Sequence, residues 1–185
     1  MNNGIGEKKM LDSNKLNIGC GSDIKPNYVN LDSTPLPGVD VAYDLNKLPW
    51  PFEDNTYTEI FCKNVLEHLS DTVIIMEEIY RISKSDCRVF IRVPYWNSYV
   101  TYADPTHKKG FHKMQFEFFD PTKEACKNRP YYSNARFRLV RLDYFIYLGG
   151  WKMIKNPMIK RFLEVMATFF CNIIHHIDIE LAVIK

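Results

Sequence analysis

The chain has no CxxC pair, no internal repeat, no low-complexity tract and no excess of one charge. It also lacks the roughly 18 uninterrupted apolar residues that a membrane-spanning helix needs. Its five cysteines (Cys20, Cys62, Cys87, Cys126 and Cys171) are scattered, several of them inside apolar runs where cysteine behaves as a small hydrophobe. They read as free thiols in a reducing compartment, which makes the expected location cytoplasmic. The start, Met1 to Ser13, is polar and charged with no signal-peptide core, and reads as a flexible arm, 1–13. A formal net charge of +2 argues against a nucleic-acid-binding stripe or an acidic tail. The 185 residues, 46% of them apolar, suit a single domain, 1–185, with room for a core.

What is present begins at Lys15-Leu-Asn-Ile-Gly-Cys-Gly21, followed eleven positions later by Asp32 at the end of Val29-Asn-Leu-Asp. An apolar run breaking into Gly-x-Gly is a strand entering a tight turn where backbone can approach a ligand. An acidic residue ending the next strand can accept two hydrogen bonds from a ribose diol, so the pair describes a nucleoside pocket at the carboxyl edge of a parallel sheet. A dinucleotide fold places a full helix and about 20 residues between these two features. Here ten residues intervene, Pro26 among them, so the first crossover is abbreviated. A nicotinamide enzyme is disfavoured for the same reason, and because Asp23 stands where its third glycine belongs.

Further strands are expected over Val39 to Tyr43, Thr58 to Cys62, Cys87 to Val93, Ala135 to Tyr147 and Ile177 to Ile184. Ser70 or Asp71 caps a helix running to about Ser83, with Ile75, Ile79 and Ile82 on one face. Lys84-Ser85-Asp86 reads as a turn. Residues 95–135, rich in Tyr, Phe, His, Lys and Pro without clean periodicity, read as a lid or substrate insertion. Pro157 opens a helix of about eighteen residues.

These residues resemble a class I S-adenosylmethionine-dependent methyltransferase, from about Leu16 to Phe119. The resemblance implies a doubly wound, Rossmann-like α/β sandwich, mostly parallel, with an antiparallel C-terminal strand. It implies S-adenosyl-L-methionine as cofactor: the glycine turn Gly19-Cys20-Gly21 under the methionine part, Asp32 on the ribose, Asp44-Leu45 at the adenine. Asn64-Val65-Leu66-Glu67-His68-Leu69 resembles the family's x-V-L-E-H segment, whose backbone, here at Asn64 and Val65, borders the cofactor. Leu48 to Tyr57 resembles its loop before the fourth strand, and Ala103 to Lys108 resembles a subgroup of small bacterial and archaeal members found among enzymes of surface-glycan or secondary-metabolite assembly. The implied activity is methyl transfer to a small-molecule acceptor, with a hydroxyl of a sugar or glycan precursor as the leading class. The alternatives are a binding module that no longer transfers methyl, or an enzyme acting on protein or RNA.

Methyl transfer to a hydroxyl needs alignment, a dry pocket and a base that takes the proton late. His68, Asp104 and His107 are the candidate catalytic residues. His68 reads either as a base or as a helix-start residue. Asp104 and His107 read as an Asp–His pair, as metal ligands with His112, or as a turn that closes the lid; Pro105 and Gly110 break any regular element there, so no metal is expected. The lid aromatics fit either an acceptor wall or a small core of their own. The basic stretch from Lys108 to Arg141 fits either a phosphorylated substrate or plain solvation. The 157–175 helix carries a wide apolar side that either covers the sheet, forms a homodimer, or touches a membrane surface. No nucleic-acid partner and no transmembrane segment are expected.

Overall fold

The computed structural model describes residues 13–185, so all but the last residue of the expected arm lies outside the described part. Five strands run parallel: β1 (Lys15–Ile18), β2 (Val29–Asp32), β3 (Val41–Ala42), β4 (Tyr57–Lys63) and β5 (Ser83–Pro94). Three more, β6 (Phe137–Tyr147), β7 (Trp151–Ile154) and β8 (His176–Val183), complete an eight-stranded sheet in the order β3-β2-β1-β4-β5-β8-β6-β7. β8 is antiparallel to both neighbours, as expected of the last strand. The order reverses between β1 and β4, and in open α/β sheets ligands bind at the carboxyl ends of the strands at such a switch point.

Alternation sets the two faces of the central strands. Ile60 and Cys62 of β4, Leu16 and Ile18 of β1, Val89 and Ile91 of β5, and Ile179 and Leu181 of β8 share one buried face. Helix α1 (Thr72–Ile82) buries Ile75, Met76, Ile79 and Ile82 in the same core. Asp71 caps it by accepting from the amides of Val73 and Ile74, as the Ser/Asp signal predicted. On the other face long side chains satisfy one another. Arg92 forks onto Asp178 at 2.5 and 2.7 Å, Arg88 pairs with Glu180, and Phe61 stacks on Phe90 with centroids 4.7 Å apart.

The segment 95–135 is more built than its composition suggests. It contains α2 (Tyr99–Ala103), α3 (Met114–Glu117) and α4 (Glu124–Asn128), and it sends Tyr95, Phe111, Phe116 and Phe119 into the main core. Buried Asp120 accepts from the amide of Leu139 and ties the segment to β6. Several boundaries differ from expectation. β7 was not anticipated: Gly149 and Gly150, at φ 62° and 155°, turn the chain from β6 into it. β5 begins at Ser83, and the expected Lys84–Asp86 turn survives as a bulge inside it, with Asp86 at φ 61° and pairing that jumps from Tyr57–Ser83 to Glu59–Arg88. Helix α5 (Pro157–Phe169) is shorter than expected, because the chain turns extended at Phe170 and Asn172 adopts φ 61° on the way to β8.

No helix separates β1 from β2 among the described residues, and side-chain amides do the closing instead. Asn17, buried in β1, donates Nδ2 to the carbonyl of Asp23 and to Oδ1 of Asn30. Asn30 also accepts from the amide of Lys25 and donates to Asp40. A carboxylate at this position could donate neither bond, so Asn17 suits this short turn.

The loop before β4 hangs on Arg81, at the end of α1. Its guanidinium donates to Glu78, Asp54 and the carbonyls of Phe52 and Trp50, while Glu78, itself buried, accepts from the Trp50 amide at 2.6 Å. Arg81→Met leaves that carboxylate buried without its cation, which costs about 3 kcal/mol. We expect the melting temperature to fall by roughly 6–12 °C; a fall of less than about 2 °C in thermal denaturation would show the loop is held by Trp50 packing alone.

Candidate active site

Two adjoining cavities open at the carboxyl ends of the parallel strands. The first, of about 290 Å³, is lined by Gly19, Asp32, Ser33, Asp44, Leu45, Asn46, Asn64, Val65, His68 and Leu69. Six residues expected to hold the cofactor are therefore here: Gly19, Asp32, Asp44, Leu45, Asn64 and Val65. Cys20 and Gly21 are not on its wall. Cys20 is buried, its amide donating to Leu31, and burial pushes its thiol up to about 11, so it stays protonated.

The cradle has a steric reason. Gly19 sits at φ 60°, and a Cβ there would lie 2.3 Å from a methyl of Val65, so only glycine lets the turn after β1 close against the turn after β4. Gly21 donates its amide to Asp32 Oδ2 at 2.8 Å, and Thr34 donates to Oδ1 at 2.9 Å. The Asp32 carboxylate is thereby aimed at the cavity, with lone pairs left for a diol. Asp44 is fully exposed. The amide of Asn46 bonds to it and holds its carboxyl below the usual range, so it is an anion ready to accept. Asn64 takes φ 56°, a conformation asparagine tolerates, and so turns the chain out of β4 between the two cavities. The residues fit a nucleoside with a small polar tail. They do not fit a dinucleotide, whose pyrophosphate needs a helix N-terminus behind the glycine turn.

The second cavity, of about 510 Å³, is lined by Asn64, Glu67, His68, Val100, Ala103, Asp104, Pro105, His107 and His176. It brings together all three candidate catalytic residues. The His68 and His107 rings meet edge to face, centroids 4.7 Å apart. Hydrogen bonding assigns their tautomers. His107 Nδ1 lies 3.0 Å from the Val100 carbonyl, which can only accept, so Nδ1 carries the proton and Nε2 of the neutral ring holds a lone pair. Thr106 gives its hydroxyl proton to Asp104 at 2.6 Å, so its oxygen accepts from His68 Nδ1 at 2.9 Å, and His68 Nε2 is likewise left with a lone pair. Burial, then the neighbouring His107, hold His68 below the usual imidazole range. The lid closes on this site through backbone, Lys108 donating to the Glu67 carbonyl at 2.8 Å.

Glu67 is the residue that sequence reading missed. It is 1% exposed, its Oε2 has no hydrogen-bond partner, and Oε1 lies 3.9 Å from His107 Nε2. Burial, and then Asp104, push its carboxyl up to about 7. The signal was its setting, a carboxylate between Leu66 and His68 in a run whose Val65, Leu66 and Leu69 are all buried. Glu67, His68 and His107 each offer a donor atom within 4.8 Å of the others, so they could hold a cation. Donors around a tetrahedral zinc stand about 3.4 Å apart, however, and the 3.9 Å gap suits a hydroxyl bound between the two better than a closed coordination sphere. His112, grouped with His107 in the metal reading, lies in a separate cavity with Tyr95, Lys113, Arg161 and Glu164.

The family model described as "Methyltransferase domain" matches residues 4–91. Solved structures share the fold at low identity. An S-adenosylmethionine-dependent methyltransferase from Archaeoglobus fulgidus aligns over 91% of this chain and 85% of its own, with 18% identity and a TM-score of 0.59. The YcgJ protein of Bacillus subtilis aligns over 98% and 97%, with 15% identity and a TM-score of 0.56. Phosphoethanolamine N-methyltransferase 2 of Haemonchus contortus, solved in complex with S-adenosyl-L-methionine, aligns over 92% of this chain and 48% of its own, with 15% identity and a TM-score of 0.50. No curated protein matches the chain. The family match runs from the arm through the glycine turn and Asp32 to the middle of β5, and the solved structures share the fold through the remaining strands: residues 4–91 resemble a methyltransferase domain, and the chain has the fold of S-adenosylmethionine-dependent methyltransferases.

Proposed function

We propose that the chain methylates a hydroxyl of a small molecule, with a sugar or glycan precursor as the acceptor class, and that Glu67, His68 and His107 receive the acceptor. The observation that carries this reading is the second cavity. It shares Asn64 and His68 with the cofactor cavity, and two imidazole lone pairs and an unpartnered carboxylate oxygen converge on it. Such a set presents acceptors and no donor, which is what an O–H needs if it is to be oriented and then deprotonated.

S-adenosylmethionine, held by Gly19, Val65, Asp32, Asp44 and Leu45, supplies a methyl group activated by its sulfonium. The chain's own residues do the rest. His107 Nε2, backed by Glu67, would accept the hydrogen bond of the reacting O–H and take its proton as the methyl group is transferred, ionised Glu67 stabilising the imidazolium. His68, at the junction of the cavities, would accept from a neighbouring hydroxyl of the acceptor and so orient it. Asp104 acts through Thr106, fixing the His68 tautomer, and is a positioning residue. The domain works as one unit, 1–185, with 95–135 forming the acceptor side.

Calorimetric titration with S-adenosylmethionine and S-adenosylhomocysteine, with NAD as control, tests the first half. Micromolar binding of the first two with NAD silent is expected. A screen of hydroxylated and amine acceptors for S-adenosylhomocysteine release tests the second, and turnover on amines alone would overturn the hydroxyl assignment.

A further inference from the structure

Helix α5 leaves much of its apolar side exposed and turns Lys160 and Glu164 toward the protein. In α5, Lys160 reaches the Leu142 carbonyl and Asp143, Glu164 accepts from Tyr144 at 2.6 Å and pairs with Lys113, and Ala167 is the buried residue. These positions make up the protein-facing stripe. The opposite stripe is apolar and open, with Met158 81%, Phe162 60% and Phe169 76% exposed, and Ile159, Val165 and Phe170 exposed beside them. The β6–β7 hairpin adds Tyr147, Leu148 and Trp151, all at least half exposed.

This surface borders the acceptor cavity. Phe145 and Pro94 both pair with His176, so the hairpin tip projects past the carboxyl end of β5. The Trp151 ring packs edge-on against His176, a cavity wall, at 5.5 Å. The far end of α5 is tied to the other wall, where Asn97 donates to the Ala167 carbonyl and Asn172 accepts from the Tyr99 amide at the start of α2. Tyr99 and Tyr102 of α2 are exposed as well.

Charge selects the occupant. Lys152, Lys155 and Arg161 have no carboxylate partner among the described residues, whereas Lys160 is held by Asp143 and the one carboxylate of α5, Glu164, by Lys113. A second copy docked through a two-fold axis would set this cationic surface against itself. A bilayer with anionic headgroups would instead give each cation a partner, accept Trp and Tyr at the interface, and take Phe and Met into the acyl boundary.

We propose that α5 and the β6–β7 hairpin dock the enzyme on an anionic lipid bilayer, with the mouth of the acceptor cavity at the membrane surface. The proposal goes beyond methyl transfer and does not depend on it. Co-sedimentation of the full chain with phosphatidylcholine vesicles, with and without phosphatidylglycerol, tests it. Binding is expected to the anionic vesicles, to weaken with added salt, and to fall about tenfold or more in Phe162→Asp/Phe169→Asp and in Lys152→Gln/Lys155→Gln. Unchanged circular dichroism would show that these exposed variants fold. Two results overturn the proposal. One is equal or no binding to both vesicle types. The other is a dimer in sedimentation velocity that the phenylalanine variant dissolves, which assigns the face to a second copy.

Discussion

Asp32→Ala is expected to lower S-adenosylmethionine affinity by about a hundredfold or more. In the proposed site the carboxylate supplies charge-assisted bonds to the ribose diol, worth about 1.5–3 kcal/mol each. It also organises the turn itself, because Gly21 and Thr34 both donate their amides to it. Asparagine does not rescue the site, since its NH2 would face the N–H of either Gly21 or Thr34, donor against donor. Calorimetry measures the loss, and a thermal melt without cofactor confirms the fold. An affinity within about threefold of the unaltered chain would remove Asp32 from the cofactor site and with it the reading of the β2 end.

The second large effect is on turnover. Glu67→Gln and His107→Ala are each expected to cut kcat by about 10²–10⁴ while cofactor affinity stays unchanged, because both residues face the acceptor cavity and not the nucleoside. The pH profile adds a signature. Glu67 acts as a carboxylate, so the rate should rise as pH passes through about 7 and then level, and this step should vanish in the glutamine variant. Stability moves the opposite way. Burial lifts the folded carboxyl to about 7 from a usual value near 4.5, so the folded state holds its proton more tightly than the unfolded chain. Stability is therefore lost as pH rises between those values and stays low above them, by about 3 kcal/mol at most. Glu67→Gln lacks that loss and should melt higher than the unaltered protein at pH 8 and nearly equally at pH 4. A variant that keeps full turnover, or melts lower at pH 8, would show that Glu67 is not the strained acid proposed here.

Local chemistry made much of this legible before folding. The glycine turn, the Asp71 cap and the alternation of the central strands each depend on neighbours within a few positions, and each appears where its residues place it. The missing crossover helix could be read from spacing alone, since no ordinary helix fits between Gly21 and Asp32. What was misread depends on distant partners. β7 is a short edge strand that exists because β6 is there to pair with it, and α5 ends where Asn97 claims the Ala167 carbonyl and Tyr99 holds Asn172 just beyond.

The proposed catalytic cluster divides along the same line. The sequence by itself marked His68, Asp104 and His107, because imidazoles and carboxylates on the segments after β4 and β5 have few structural uses. It marked the proposed cofactor edge as well, since a strand–glycine turn and a following acidic residue bring their own geometry. Only the tertiary structure decided that His68 and His107 present Nε2 lone pairs, because tautomers are set by the Val100 carbonyl and the Thr106 hydroxyl, groups far from one or both rings in the chain. Only it buried Glu67 without a partner and left the apolar stripe of α5 facing outward. Periodicity tells that a helix has two faces; which of them meets the protein is settled by what stands opposite, here Asp143, Tyr144 and Lys113, polar groups that draw the charged stripe inward.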